Sequence, residues 1–582
     1  MVALAAALSI AVPVLAHGLI ERAEPPAGGA VAQSPAQVQV WFTEPIEPRF
    51  SALEVFPAGS IVRIDLGDSR IESDNSLVVS LPPDLPRGAY TVAWRVVTLG
   101  DGHETSGAYS FGVGVPAEVG QTSAAGGSPL DDAFRFLSLA GQSLFVGVAA
   151  FRWAIRLNDE DRFRRALFWV AHGARAALVV GLIGALFGHL RAVDAPALDV
   201  LRTQWGVLWL ARAALVGAIA IWVGPLLRGA DTRPALAVGG LLLLTTSFAS
   251  HSAAKFGLAG AAFDWFHLLA AAVWSGGVLC AAIAVAQGER EFLANFSNLA
   301  MAAVGALVAS GVWLGAGQVG SWAGLLLTPY GRALLIKLAV VALSFGLGAV
   351  NAGIAATSRS YASRSHVLIG IEVVLGLLVI LSAAALTNLP PAVSQTTDGA
   401  PTRVGLSKTA GNLEAALALF PARAGANTFE AKLTDAAGKP VVYAGVSLQF
   451  HPLTAEAVVS ELRLTDIGDG LYSASGVNLT AEGDWEVLLA VNTREYANFD
   501  YSIGPDGAVR AAGESLPMAA RVVGWLNRYA MAWAAGAFLA SAAGWSWLAW
   551  RGLPRARWSA ALWLAPGLVI AGAIWFWIAL NF

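Results

Sequence analysis

Long apolar stretches in the middle of the chain constrain its fold more than any other feature. Eight of them follow one another between residues 133 and 389, and two more lie near the C-terminus. Each is long enough to cross about 30 Å of hydrocarbon as an α-helix, a structure that satisfies its own backbone in lipid. The composition agrees, because 56% of the 582 residues are hydrophobic and only 13% are charged. The pattern predicts a polytopic α-helical membrane protein of about ten spans, at 133–155, 166–190, 205–227, 234–253, 263–286, 297–319, 330–353, 366–389, 521–549 and 558–580.

Two polar segments outside these stretches show the alternation of β-strands. In the first, apolar side chains alternate over 38–42 and 53–56, with turns rich in Pro, Gly, Asp and Ser between the runs. The second repeats the pattern over 429–433, 446–450 and 485–491. Short alternating strands at this spacing are typical of small sandwiches. We therefore expect two all-β sandwich domains attached to the membrane bundle.

These patterns divide the chain into six parts. The first sixteen residues are a short apolar run that ends in small residues, as a cleaved secretory signal does, although no basic residues precede it. A later Gly- and Ser-rich stretch has the composition of a flexible linker. The expected parts are a signal peptide (1–16), a first β-sandwich (17–114), a linker (115–130), an eight-helix membrane domain (131–390), a second β-sandwich (391–515) and two C-terminal transmembrane helices (516–582).

Basic residues near the ends of the spans predict the orientation of the bundle. The loop between the first two stretches carries Arg156, Arg162, Arg164 and Arg165. An excess of Arg and Lys marks the cytoplasmic loops of membrane proteins. Both β domains are then expected outside the membrane, which agrees with the predicted signal peptide and makes the lipid bilayer a partner.

Several chemistries find no support in the sequence. A net charge of −3 gives no electrostatic case for nucleic-acid binding. No Walker phosphate loop, dinucleotide-binding glycine pattern or His-Glu-x-x-His pair occurs, so nothing indicates ATP-driven pumping. Cys280 is the single cysteine and lies in an apolar stretch, which excludes an internal disulfide. We expect a protein that is not an enzyme.

The first β domain holds a compact set of metal-ligating side chains. Asp101 and His103 lie in a turn between two strand-like runs, and residues two apart on an extended backbone point the same way. His17 directly follows the expected signal cleavage site, so its α-amine and its imidazole would both be free. An amine, two imidazoles and a carboxylate suit Cu(II) better than Zn(II) or Mg(II). A merely polar turn is the alternative for the Asp101 and His103 pair.

Glu44 is the candidate for a supporting group at this site. A carboxylate can ligate weakly or orient a metal-bound histidine, whereas an ordinary solvated strand edge is the alternative. The absence of methionine from 17–114 excludes a thioether Cu(I) site in this domain.

Three further histidines lie near the outer ends of predicted spans. His189, His251 and His267 fall in the second, fourth and fifth stretches at similar depth. Ionisable side chains in spans are costly and usually functional, so these are candidates for a membrane path that receives metal from the outer domain. A histidine near a helix end can also simply reach the interface. Arg212 and Lys337 lie about two turns deep, where we expect them to neutralise a carboxylate or contact backbone carbonyls.

The first domain resembles the bacterial copper-resistance family CopC. The resemblance rests on His17-Gly18, the Pro- and Gly-rich run at 25–30, Phe42-Thr43-Glu44-Pro45, and the stretch 94–111 around Asp101 and His103. It covers nearly the whole domain. It implies that Cu(II) is held by His17, Asp101 and His103, with Glu44 nearby.

The bundle over 133–389 is similar to the CopD family, through the runs 266–277 and 332–337 and through Asn351. The segment 404–505 is similar to YtkA/FixH-like domains. The whole chain thus resembles CopC/CopD copper-resistance fusions of the YcnJ-like copper import type. The resemblance implies copper import, homeostasis and resistance at a bacterial inner (plasma) membrane. Cu(II) would be captured outside, Cu(I) is the alternative state in the membrane domain, and a periplasmic copper chaperone or reductase is a further partner class.

Two other classes of protein fit the same residues. In an intramembrane redox enzyme, His189, His251 and His267 would serve as axial haem ligands. In a copper sensor or storage protein, the outer site would bind copper without transport. A haem Soret band would indicate the first class, and copper uptake separates the second from a transporter.

Overall fold

The computed structural model describes residues 20–529, apart from 59, 61, 74, 100–101, 103, 116–121, 125–128, 194, 228–230, 358–364, 388, 390, 393–402 and 456. Within this range the chain forms a β domain, a bundle of helices and a second β domain, in that order. The predicted combination of a helical membrane bundle with two all-β domains is therefore confirmed. The predicted signal peptide, His17 and the last predicted span lie outside the described residues. Of the span before it, only 521–529 is described, within a helix at 518–529.

The first β domain is built from short strands around one core. These are β1 (Ile20–Glu24), β2 (Ala30–Val31), β3 (Gln37–Phe42), β4 (Ala52–Pro57), β5 (Arg70–Ser73), β6 (Ser76–Ser80), β7 (Gly88–Val97), β8 (Glu104–Val113) and β9 (Thr122–Ala124). One sheet has the order β1-β3-β6-β5 and the other β2-β8-β7-β4, with β9 paired to β8. Val92, Trp94 and Val96 of β7 are buried in turn, as the period of two in the sequence predicts.

The hairpin of β7 and β8 places the turn with the predicted ligands at one end of this domain. The two strands are ten residues long each and are paired along their whole length. The segment that carries Glu44 runs beside this turn, because the Leu99 N–H donates to the Pro45 carbonyl at 2.9 Å. Two pieces of chain that are far apart in sequence thus meet where the metal ligands are predicted.

The bundle follows in the middle of the chain. Its helices are α1 (Pro129–Ala154), α2 (Glu160–Val193), α3 (Ala197–Leu201), α4 (Gln204–Leu227), α5 (Arg233–Phe248), α6 (His251–Ala286), α7 (Leu293–Val319), α8 (Trp322–Leu327), α9 (Pro329–Thr357) and α10 (Ser365–Leu386). Among the described residues, seven stretches are long and apolar enough to cross a membrane, and α5 is a shorter apolar helix. The seven are Leu130–Ala154, Glu160–Arg191, Gln204–Ile221, Phe256–Ala286, Leu293–Val319, Pro329–Gly348 and Val367–Leu386. The predicted count of about ten spans is not confirmed.

The predicted fourth and fifth spans differ most from the structure. The apolar helix α5 ends at Phe248, and α6 begins at His251, well before the predicted start at 263. Gly257 interrupts α6 with a φ of +57° and a ψ of −138°. The start of α6 folds back on Gly260, where a Cβ would overlap the Ser252 carbonyl. Hydropathy averages over a window and does not register such a local reversal.

Small residues let the long helices approach closely. Gly147 of α1 and Gly276 of α6 face each other so tightly that a Cβ on either would overlap the backbone of the other. Gly181 of α2 meets the backbone of Ser138 in α1 in the same way. Transmembrane helices associate through such contacts because lipid offers no hydrophobic driving force between them.

The second β domain follows the bundle. Its strands are β10 (Val404–Ala410), β11 (Leu413–Phe420), β12 (Gly425–Asp435), β13 (Val446–Pro452), β14 (Ser460–Gly468), β15 (Leu471–Leu479), β16 (Gly483–Val491), β17 (Glu495–Ile503) and β18 (Val509–Ala511). They pair in the order β10-β11-β12-β15-β14-β13-β16-β17-β18. Phe429 and Phe450 lie on strands that are not neighbours in this order, yet their ring centroids are 5.0 Å apart. The sheet therefore curls around one core, which also holds the fully buried Trp485.

The two β domains touch each other. The Arg87 guanidinium of the first domain lies 2.7 Å from the Asp469 carboxylate of the second. Beside this ion pair, Ala30 packs against Ile467 and Leu471. The two domains that are separated by the whole bundle in sequence thus lie side by side.

Candidate metal centre

The turn between β7 and β8 is the predicted capture site, and the structure describes part of it. Asp101, His103 and His17 lie outside the described residues, so the ligand set stays a prediction. Gly102 is described: its N–H donates to the Thr98 carbonyl at 3.1 Å, and its φ is +71°. Glycine adopts this left-handed conformation without a steric cost.

Two carboxylates lie beside this turn. Glu44 is 2% exposed, so the alternative of a solvated strand edge is wrong for it. Burial raises the pKa of Glu104, the first residue of β8, and the Arg95 guanidinium opposes this shift. Buried carboxylates are stable only beside groups that compensate their charge. Glu44 and Glu104 thus place two carboxylates beside the turn where the sequence predicts a cation site.

The bundle closes the other side of Gly102 with two rings. A Cβ on Gly102 would lie 2.8 Å from Cε1 of His189 and 2.6 Å from Cδ1 of Trp205. His189 lies near the end of α2 and Trp205 at the start of α4. Their rings are stacked, with centroids 3.9 Å apart and planes inclined by 18°. The stack orients the His189 imidazole against the turn.

Apolar side chains from both partners surround this contact. The cluster joins Phe50 and Val97 of the first domain to Val193, Val200 and Trp205 of the bundle. Gly102 itself touches the His189 and Trp205 rings at the centre of this cluster. The structure thus brings one of the three predicted path histidines to the predicted capture turn.

His267 lies in α6 in a form suited to metal binding. Its Nδ1 is 3.0 Å from Oγ of Ser310 in α7. The Ser310 hydroxyl has one proton, which it donates to the Ala306 carbonyl at 2.6 Å, so it accepts from the imidazole. With Ser310 as the acceptor, Nδ1 would carry the ring proton and Nε2 would keep its lone pair. This is the arrangement in which an outer hydrogen bond orients a metal-binding histidine.

Asp264 is a candidate residue that the sequence analysis missed. It lies one turn before His267 on α6, and residues three apart share a helix face. Lys337 of α9 and His251 are within electrostatic range of its carboxylate, and Ser247 lies beside it. The predicted span began only one residue earlier, which made Asp264 look like a charge at a helix end. The pattern Asp264-x-x-His267 in an apolar helix is the signal that identifies it.

His251 reaches the neighbourhood of Asp264 because the reversal at Gly257 turns the start of α6 back along the helix. The structure therefore separates the three path histidines into two groups. His189 lies against the turn of the first domain, whereas His251 and His267 lie near Asp264.

The described residues do not form a complete metal site by themselves. Within them, no group of three or more His, Cys, Asp or Glu side chains is arranged to hold a metal ion. Arg212 donates to the Thr245 carbonyl at 2.8 Å, which is the structural role expected for it. The described donor groups thus lie in separate places and not in one closed site.

Comparison with known families gives three matches in chain order. The family model of the CopC domain matches residues 20–114, that of copper resistance protein D (CopD) matches 290–386, and that of YtkA-like domains matches 407–490. The CopD match covers α7 to α10. His267 and Asp264 lie before it in the chain.

Individual proteins match over different lengths. The chain is 26% identical over 516 residues to the copper transport protein CutJ of Bacillus subtilis (strain 168). This alignment covers 81% of this chain and 93% of CutJ. It is 32% identical over 101 residues to protein YobA of Escherichia coli (strain K12), in an alignment that covers 17% of this chain and 81% of YobA. Among solved structures, CopC from Methylosinus trichosporium OB3b is 28% identical and covers 18% of this chain and 98% of its own, with a TM-score of 0.15. PcoC, a methionine rich copper resistance protein from Escherichia coli, is 26% identical and covers 18% and 100%, with a TM-score of 0.15.

Proposed function

Because this chain belongs to the copper-resistance fusion proteins that join CopC, CopD and YtkA-like domains, we propose that it captures Cu(II) outside the membrane and imports copper through the bundle. CutJ, which aligns with 81% of this chain, is a copper transport protein. In this function copper is the cargo, and the protein catalyses no covalent reaction. The first domain binds the ion, and the bundle provides the way across the bilayer.

The contact of Gly102 with His189 is the observation that carries this proposal. A metal ion leaves a multidentate site by exchanging one ligand at a time, so the acceptor has to be within reach of the donor turn. The His189 imidazole is a good ligand for copper, and its stack on Trp205 holds it there. A protein that only stores or senses copper has no need to seat its capture turn on a membrane histidine.

The donor groups beyond His189 support movement more than retention. His251, Asp264 and the Nε2 of His267 follow inside the bundle without forming a closed site. The amine, imidazole and carboxylate groups of the predicted capture set favour Cu(II). A membrane potential that is negative inside favours entry of a cation by about 2.3 kcal/mol per unit charge per 100 mV. Import therefore requires no nucleotide site.

Copper accumulation with and without the chain, at matched external copper, tests delivery. Cells with the chain should hold more copper, and His189→Ala should reduce the gain by about tenfold or more without changing Cu(II) binding at the first domain. His172→Ala is the matched control on the same helix, because its Nδ1 lies 2.8 Å from the Phe168 carbonyl one turn earlier and its ring packs on the Phe168 ring, away from the turn of the first domain. Full accumulation in His189→Ala would remove this residue from the path. A chain that binds copper without raising cellular copper would be a sensor or storage protein.

Cu(II) affinity tests the capture step. The amine and imidazole of His17 chelate one ion only if this residue is the first of the mature chain. One glycine inserted before His17, or His103→Ala, should weaken Cu(II) binding strongly while circular dichroism stays unchanged. Asp101→Ala should do so less severely. Equal affinity of the glycine-extended chain, measured by competition with a chromophoric chelator, would exclude His17 as a ligand.

A further inference from the structure

One face of α9 is polar along almost the whole helix. Between residues 333 and 356 the polar side chains of this helix are Lys337, Ser344 and Asn351, and Tyr330 precedes them at the same spacing of seven residues. Seven residues are close to two full helical turns, so the four side chains lie on one side of α9. We call these four residues the polar face of α9.

The polar face is turned into the bundle, while the apolar side chains of α9 point outward. Tyr330, Ser344 and Asn351 are 7%, 2% and 7% exposed, whereas Leu338 and Leu343 are 49% and 62% exposed. Polar side chains within a span usually face the bundle interior or a water-filled cavity. The buried Ser344 hydroxyl has no hydrogen-bond partner among the described residues. A buried hydroxyl of this kind requires a further partner, for which water is suited.

The polar face ends at a carboxyl group of the next helix. The Asn351 amide donates to Oε1 of Glu372 in α10 at 3.1 Å. A Cβ on Gly348, one turn before Asn351, would lie 3.9 and 4.0 Å from the two carboxyl oxygens, so Glu372 lies directly against α9. Glu372 is part of the apolar stretch Val367–Leu386, which is long enough to cross a membrane.

Glu372 forms no ion pair within the described part of the chain. Its helix α10 packs against α9, α6 and α1. The ionisable residues toward the same end of these helices, and on the polar face itself, are Cys280 of α6, Arg152 of α1, His366 of α10 and Lys337 of α9. A carboxyl group in hydrocarbon without an ion-pair partner is far less costly as the neutral acid. Glu372 is therefore suited to bind a proton.

The chemistry of the polar face suits protons and not copper. Hydroxyl, amino and carboxyl groups exchange protons, whereas copper prefers imidazole or sulfur ligands. An ammonium group at Lys337 would also repel a metal ion. This face therefore differs from the path of histidines in the ligand that it can carry.

Helix α6 touches both the candidate copper ligands and the polar face. His267 of α6 contacts Ser310 of α7 at 3.0 Å. Two turns later on α6, the Trp274 ring meets the edge of the Phe345 ring at a centroid distance of 5.6 Å. Phe345 directly follows Ser344 in α9. One helix thus links the two sets of residues.

Resting on the proposed function, we propose that the polar face of α9 and Glu372 carry protons inward together with copper. Its members are about 10 Å apart along the helix axis, so water molecules connect them. Glu372 takes a proton from this face, becomes the neutral acid, and releases the proton to the cytoplasmic side. An inward proton gradient then adds to the membrane potential as a driving force for copper import.

Proton uptake by vesicles that contain the full chain tests this coupling. In a weakly buffered suspension, adding copper to wild-type vesicles should make the outer medium more alkaline than it does with protein-free vesicles, as recorded with a pH electrode. Glu372→Gln should abolish this alkalinisation, and Ser344→Ala should reduce it. Ser382→Ala in α10 is the matched control for Ser344→Ala, because the Ser382 hydroxyl donates to the Val379 carbonyl of its own helix at 2.8 Å. Equal proton uptake in these two serine variants would contradict a path along α9.

An imposed proton gradient gives a second readout. A higher pH inside the vesicles, at constant outer pH, should raise the initial rate of copper uptake by the wild-type chain and leave that of Glu372→Gln unchanged. The glutamine can still accept from the Asn351 amide, so its melting temperature in detergent should equal that of the wild type. Wild-type proton uptake in Glu372→Gln, or copper entry into wild-type vesicles without proton uptake, would overturn the proposal. Wild-type vesicles that take up no copper would contradict the proposed transport function instead.

Discussion

Gly102 meets two independent requirements at one position. Its φ of +71° costs an L-residue about 1–2 kcal/mol, and a Cβ would touch both His189 and Trp205. Gly102→Ala should therefore push the turn away from the bundle and lower copper accumulation, and Gly102→Val should lower it further. Gly88→Ala is the matched control in the same hairpin, because nothing lies within 4 Å of its Cβ position. Wild-type accumulation in Gly102→Val would show that the turn works without touching the bundle.

Ser310 is a hydrogen-bond partner of the His267 imidazole, and this predicts an effect of Ser310→Ala without loss of the ligand itself. Ser310→Ala removes the acceptor of the Nδ1 proton, and loss of such a supporting group typically costs about 10–100-fold in metal affinity or activity. Copper accumulation should fall accordingly, whereas His267→Ala should abolish it and leave Cu(II) binding at the first domain intact. Ser275→Ala is the control, because its hydroxyl donates to the Ala271 carbonyl of its own helix at 2.7 Å. Equal accumulation in Ser310→Ala and Ser275→Ala would mean that the imidazole needs no outer partner.

The sequence reveals those candidate residues whose amino-acid type is unusual for the segment in which they lie. A histidine in an apolar stretch is conspicuous, so His189 and His267 could be picked out. Asp264 was hidden because the predicted span begins at 263, one residue before it, and a charge at the start of a span is ordinary. The contact of Gly102 with His189 could not be predicted, because it depends on how two distant parts of the chain dock. Residue types in the sequence thus indicate candidate ligands. Which of these residues lie next to each other can be read only from the folded structure.

At the scale of elements, periodicity predicts strands and spans but not the breaks within them. The alternation in β7 and the apolar run of α2 can be predicted directly from the sequence. In β7 every second side chain is buried, and α2 is apolar over a length that spans a bilayer. The reversal in α6 depends on two glycines that allow close backbone contact, and a window average does not detect them. The error in the fourth and fifth predicted spans therefore has a local cause at Gly257 and Gly260.

Gly260 makes this reversal testable. A Cβ there would overlap the Ser252 carbonyl, a backbone atom that cannot rotate away. Gly260→Ala should shift His251 from Asp264, lower the melting temperature in detergent and reduce copper accumulation. Gly217→Ala in α4 is the control: its Cβ position is open, and alanine favours a helix over glycine by about 1 kcal/mol. A Gly260→Ala chain as stable as Gly217→Ala would show that the backbone does not pass so close at this point.

At the scale of the whole molecule, the two β domains and the bundle form one connected arrangement. The side chains of Arg87 and Asp469 are 56% and 68% exposed, and an exposed ion pair contributes only about 0–1 kcal/mol. The apolar contact of Ala30 with Ile467 and Leu471 and the cluster around Trp205 therefore hold the domains together more than this pair does. Domains that touch have to lie on the same side of a membrane. The contact thus supports the part of the prediction that puts both β domains on one side of the membrane.

Accessibility of single cysteines tests this shared orientation. In a Cys280→Ser background, Val62→Cys would report on the first β domain and Ser475→Cys on the second, since both positions are exposed. An impermeant thiol reagent should label both in intact spheroplasts. Arg233→Cys, at the exposed start of α5 on the predicted cytoplasmic side, should react only after lysis. Labelling of positions 62 and 475 from opposite sides would contradict the contact of Arg87 with Asp469. Labelling of both only after lysis would reverse the orientation, and with it the direction in which the capture turn could deliver copper.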